Sequence, residues 1–166
     1  LVDQGGEPLV ELADAAGLAI DDGIVVNEYG ETSHRHVWAA GDVAEFPYLA
    51  LGQLMRVEGS DHADAHGRAV GANMAGANQP YDHLPLKWFR VGELMFEGVG
   101  ELWARLDTEL VWIEPGQEGA VFYLREGVVR GVLLINVSDR VEWARSLIRE
   151  GRPTTADERA SSLGAK

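Results

Sequence analysis

The sequence predicts an α/β section followed by a smaller α+β section, the second built on antiparallel strands and closed by a helix. Three observations carry this expectation. The run His36-Val37-Trp38-Ala39-Ala40 is short, nearly all apolar and free of alternation, as in a strand buried on both faces by helices. Beyond Gly76-Ala77-Asn78-Gln79-Pro80 the pattern turns to strand-like runs separated by turn residues. Ser138 to Glu150 then places Val141, Trp143, Ala144, Leu147 and Ile148 at helical spacing. These shifts set boundaries at 1–78, 79–151 and a Thr-, Ala- and Ser-rich tail, 152–166, read as disordered.

The elements follow in order. Leu9 to Leu18 reads as a short helix with Leu9, Leu12 and Ala16 on one face and Gly17 as its stop. Asp22-Gly23 turns into the β-branched run Ile24-Val25-Val26, and Glu28 to Ser33 is a loop. The strand 36–40 ends at Gly41-Asp42, and Phe46 to Gln53 is irregular. Arg56 to Met74 is a helix whose inward face carries small residues, Ala63, Gly67 and Gly71, with Val70 and Met74. Two glycines inside a helix cost roughly 1 kcal/mol each against alanine, which points to close approach by a strand or a ligand. Glu93 to Trp103, Glu109 to Ile113, Ala120 to Arg125 and Val128 to Asn136 are antiparallel strands, with Glu126-Gly127 as a tight turn. Ser138 is the expected N-cap of the closing helix, which Gly151-Arg152-Pro153 stops.

Composition excludes several function classes. With 166 residues and 46% apolar residues the chain can bury one ordinary core or two small ones. A net charge of −13, from 27 acidic against 14 basic residues, argues against a phosphate-binding surface for nucleic acid or anionic lipid. No cysteine is present, so this stretch holds no disulfide, thiolate metal site or redox-active thiol pair. No apolar run reaches the ~20 residues of a bilayer span and no signal pattern opens the chain, which makes cytoplasmic the expected location. Leu1 rather than Met opens it, which suggests an internal starting point.

Chemistry concentrates at two places. Gly41-Asp42 follows the strand-like run, where a glycine lets the backbone approach a flat ligand and a carboxylate accepts a hydroxyl hydrogen bond. Arg56-Val57-Glu58-Gly59-Ser60-Asp61-His62-Ala63 opens the long helix, whose N-terminus carries partial positive charge and free N–H groups. His62 and His66 stand i, i+4 beside Asp61 and Asp64, but no third metal ligand follows at a recognisable spacing, and a polar helix face accounts for them. No Gly-x-Ser-x-Gly elbow is present.

Thr32-Ser33 with Val37 to Ala44, Arg56 to Ala63 with Gly67-Arg68, and Tyr81, Trp88, Phe122 to Arg125, Val129 to Leu134, Asp139-Arg140 and Ala144-Arg145 together resemble one family. They are similar to the C-terminal part of FAD-dependent pyridine nucleotide oxidoreductases of the apoptosis-inducing-factor and ferredoxin-reductase group. The resemblance covers about residues 9 to 151. It implies that 1–78 is the closing section of an FAD-binding, Rossmann-like domain and that 79–151 is a small interface domain packed against the flavin. It implies hydride transfer from NAD(P)H to FAD, with a ferredoxin, a quinone or oxygen as acceptor, and admits a homodimer.

By the same resemblance Gly41, Asp42, Glu58, Gly59 and Ser60 are cofactor-binding. Trp88 is the aromatic residue near flavin and nicotinamide, and Glu97 contacts the nicotinamide nucleotide. Gly59-Ser60 stands where the apoptosis-inducing-factor pattern has two histidines, and Asp139 stands where it has Asn. The resemblance implies neither a catalytic side chain nor a metal. No Gly-x-Gly-x-x-Gly opens a βαβ unit here, so both phosphate cradles are expected upstream of Leu1 and the isolated chain is expected to be inactive. Two other readings compete: a free-standing protein-interaction module derived from such an enzyme, and a metal-binding protein using the histidines.

Overall fold

A computed structural model describes residues 6–164 and divides the chain into two compact units, Leu1–Pro85 and Leu86–Lys166. In the first, α1 (Glu11–Ala15) is little more than one turn and buries only Ala13. Leu9 and Leu12 are exposed, which corrects the apolar face expected of them. So short a helix can turn just one small side chain onto the unit.

A three-stranded sheet comes next, in the order β1 (Ile24–Val25), β2 (Ala44–Tyr48), β3 (Gln53–Arg56). β1 runs parallel to β2, and β2 pairs antiparallel with β3. The sequence reading left 46–53 irregular, whereas the structure forms strands there, β2 with a proline at 47. The proline is accommodated because β1 reaches only Ala44 and Glu45, leaving β2 an edge on that side at Pro47. The run 36–40 is corrected in the other direction. It forms no strand: one bridge joins Trp38 to Glu31, Val37 is exposed, and the Thr32 hydroxyl donates to the Val37 carbonyl at 2.9 Å to close a loop.

The helix α2 (Ser60–Met74) buries His62, His66, Val70 and Asn73. This reverses the expected facing: Gly67, Gly71 and Met74 point outward, and a methyl group added at either glycine would meet nothing within 4 Å. Aromatic rings from β2 and the chain after α2 cover the two imidazoles. Phe46 stacks on His62 at 4.9 Å, and Tyr81 stacks on His66 at 4.4 Å. Asn73 then ties the helix end, donating to the Tyr29 and Gln79 carbonyls at 3.0 and 2.9 Å and accepting from the Gln79 amide at 2.8 Å. Tyr81 N donates to Glu28 O at 2.7 Å. These bonds hold residues 79–85 in the first unit, so the division falls after Pro85 and not after Asn78.

The second unit is one antiparallel sheet of β4 (Leu86–Val91), β5 (Leu94–Gly100), β6 (Asp107–Glu114), β7 (Glu118–Arg125) and β8 (Val128–Ile135), ordered β4-β5-β8-β7-β6. The sequence reading began its first strand at Glu93 and so missed β4, whose residues 87–91 are all exposed and show no alternation. Val99, Ala120, Phe122, Val132 and Leu134 form the core with Ala144 and Ile148 of α3 (Val141–Glu150). Ser138 lies in the turn before α3. Arg140 holds the N-cap position and no side chain caps it, which corrects the Ser138 expectation.

The tail is also corrected. Residues 156–163 form α4 (Ala156–Leu163), opened by a full capping box between Thr155 and Glu158. Leu163 is buried, and Arg159, also buried, pairs with Glu109 of β6. Composition alone suggested disorder, while a capping box, one apolar anchor and the Arg159–Glu109 pair fix a two-turn helix.

Candidate cofactor site

A tight turn, Gly41–Val43, links the loop to β2. Gly41 is buried with φ 75°, a backbone state that disfavours any side chain. A Cβ there would face Ala63 of α2 at an ordinary 3.6 Å, so it is the dihedral and not crowding that calls for glycine. The Gly41 amide donates to Nδ1 of His66 at 3.3 Å. Asp42 is exposed. Its Oδ1 accepts from the Gly59 amide at 3.3 Å, and its carbonyl accepts from Nη1 of Arg56 at 3.1 Å.

Gly59 is the N-cap of α2, with φ 137°. Its carbonyl accepts the first helical bond from Ala63 at 2.9 Å, and Ser60 follows as the exposed first residue. The first amides of a helix have no partner within it and carry partial positive charge. Glu58 accepts from Nη1 of Arg56 at 2.8 Å and from the Gly6 amide at 2.8 and 3.0 Å. Arg56 also donates to the Gly6 carbonyl at 3.0 Å and lies 3.6 Å from Asp22. Burial works against its charge, but Glu58 and Asp22 outweigh that and hold the guanidinium more firmly protonated than usual.

The structure therefore brings Gly41, Asp42, Glu58, Gly59 and Ser60 to one corner of the first unit. In the second unit Trp88 stands directly opposite Glu97 across the β4–β5 pair, with 64% of its surface exposed. Sequence reasoning missed Arg56 as the tie of that corner and took it for the start of the helix. It also missed that His62 and His66 are buried, because the rings covering them, Phe46 and Tyr81, lie far away in sequence. Burial drives both imidazoles toward the neutral form, His66 down to about 4, with His62 adding to the effect on His66 and His83 to that on His62. Among the described residues no group of three His, Cys, Asp or Glu could hold a metal ion, and no helix is long and apolar enough to cross a membrane.

Chemically, the corner offers a carboxylate that can accept a hydroxyl hydrogen bond beside helix amides that favour an electron-rich edge. Residues 1–67 match the pyridine nucleotide-disulphide oxidoreductase family. Over 146 residues the chain is 32% identical to the ferredoxin–NAD(+) reductase component of the anthranilate 1,2-dioxygenase system of Burkholderia cepacia, spanning 87% of this chain and 36% of that protein. Its fold is similar to the crystal structure of the ferredoxin reductase for the CYP199A2 system from Rhodopseudomonas palustris, with a TM-score of 0.83, 30% identity, and 95% and 39% of the two chains covered.

Over most of its length the chain is thus similar to ferredoxin reductases. Rhodocoxin reductase of Rhodococcus erythropolis gives the same pattern, 29% identical over 95% of this chain and 37% of its own length. The chain spans 27% to 40% of the length of the curated relatives it matches.

Proposed function

We propose that this chain is the cofactor-contacting part of an enzyme that passes a hydride from NAD(P)H to FAD and electrons onward to a ferredoxin. The observation that carries the reading is the Gly41-Asp42 turn set against the N-terminus of α2, with the Asp42 carboxylate 3.3 Å from the Gly59 amide. These residues fit FAD. Asp42 would accept a hydrogen bond from a ribitol hydroxyl, and the Gly59-Ser60 backbone would face the ring edge that gains negative charge on reduction. Glu58 and Arg56 would fix the strand leading into that helix, and Trp88 with Glu97 would meet the flavin and nicotinamide. When bound, FAD supplies the two-electron chemistry that no side chain in this chain provides. Ferredoxin as acceptor is supported by the names of the relatives.

The test is Asp42→Ala in the flavoprotein that carries this chain. One lost hydrogen bond of ~1 to 3 kcal/mol should lower the flavin-to-protein ratio while circular dichroism stays unchanged. An unchanged ratio removes Asp42 from the site. Reduction of a quinone or oxygen at the rate of ferredoxin would sink the choice of acceptor, and a protein that never binds flavin would leave the interaction-module reading in its place.

A further inference from the structure

We propose that His66 is a positioning residue for the Gly41-Asp42 turn, its Nδ1 holding the Gly41 amide and thereby setting where the Asp42 carboxylate stands. This rests on the reading of that turn as the cofactor contact. His66 is fully buried within α2, stacked on Tyr81 at 4.4 Å and packed against Phe46 and His62 at 5.0 Å each. In that surrounding a phenyl ring would fill the same space. The imidazole also carries a liability, for Nε2 is buried and has no hydrogen-bond partner among the described residues, and an unmet buried donor is destabilising.

What offsets it is the bond at the other nitrogen. Because the Gly41 amide is a donor, Nδ1 must accept, which places the ring proton on Nε2. Gly41 itself is buried and holds φ 75°, so its amide cannot turn to solvent without unmaking the turn. Asp42 follows immediately, anchored through Oδ1 to Gly59 and through its carbonyl to Arg56. His66 is thus the partner from inside the unit, and Gly59 and Arg56 are the partners at its surface.

Two substitutions separate the acceptor from the ring. His66→Asn puts Oδ1 where Nδ1 was, while His66→Phe keeps the stack and removes the acceptor. In the 166-residue chain, hydrogen exchange of the Gly41 amide should quicken about tenfold or more in His66→Phe and stay near wild type in His66→Asn. Equal Gly41 protection in wild type and His66→Phe overturns the proposal. Should His66→Phe fail to fold, the ring 15N shifts of wild-type His66 decide: the Nε2–H tautomer is expected, and Nδ1–H overturns it. In the holoprotein, His66→Phe should lose flavin and His66→Asn should regain it. Retention of flavin by His66→Phe when Asp42→Ala loses it overturns the positioning role, whereas retention by both, with Gly41 exchange still responding to the ring, overturns the cofactor reading and leaves the positioning bond intact.

Discussion

Trp88 sits within a strand yet keeps 64% of its surface exposed, which makes its contribution to folding small. Trp88→Ala should shift the melting temperature by what surface changes usually produce, within about 0.5 to 1 kcal/mol. A buried aromatic would cost about 3 to 5 kcal/mol, and a loss of that size on thermal unfolding would make Trp88 structural. The functional side is read separately, as a weakened long-wavelength charge-transfer band when the flavoprotein is reduced with NADH. The buried histidines give a second prediction at this scale. The fold favours their neutral forms, so below about 6.5 the unfolded chain binds more protons, and stability, full above that pH, falls as pH drops toward about 4. For His66 alone the span is worth about 3 kcal/mol. Glu45 opposes this: burial and then Asp21 raise its carboxyl, so acidification relieves a cost there. Denaturant unfolding between pH 7 and 4.5 should therefore show net loss, flattened in a His62→Asn/His66→Asn variant. A gain in stability on acidification would mean that Glu45 dominates.

At the scale of elements, α4 is held by a capping box at one end and by Leu163 and Arg159 on its inner face. Thr155→Ala removes the hydroxyl that accepts from the Glu158 amide while leaving the bond from the residue-155 amide to the Glu158 carboxylate, and should destabilise the helix by about 1 kcal/mol, seen as faster proteolysis near residues 156–163 with the rest of the sheet protected. Undiminished resistance would show that Leu163 and the Arg159–Glu109 pair suffice. This helix also shows where the sequence is hard to read. β7, β8 and α3 were legible because Ala120 to Arg125, Val128 to Ile135 and Val141 to Ile148 carry their period in their own residues. β2, β4 and α4 were not, since Pro47 is tolerated only by the shortness of β1, β4 has no buried face to impose alternation, and α4 depends on Glu109, fifty residues away. The corner of the first unit followed the same rule. Gly41, Asp42 and Glu58 to Ser60 lie in two local motifs that carried the family resemblance, whereas the bonds of His66 and Arg56 run to Gly41 and Gly6, distant in sequence.

For the molecule as a whole, the cofactor reading has a quantitative consequence. The 166 residues contain no Gly-x-Gly-x-x-Gly phosphate cradle, so only the ring and ribitol portion of FAD would find contacts. Calorimetric titration of FAD into this chain should give binding weaker than ~1 μM, about −8 kcal/mol, and tight stoichiometric binding would show that the cofactor site has been misplaced. The arrangement of the second sheet has a colloidal consequence as well. Among the described residues β4 pairs only with β5, so along Trp88, Phe89 and Val91 its outer edge has no neighbouring strand, the kind of edge onto which another polypeptide can add as an extra strand. Lys87 and Arg90 stand along that edge. Two cations on adjacent identical edges would repel each other, so these side chains guard the chain against stacking upon itself through the same strand that displays its most exposed aromatic residue.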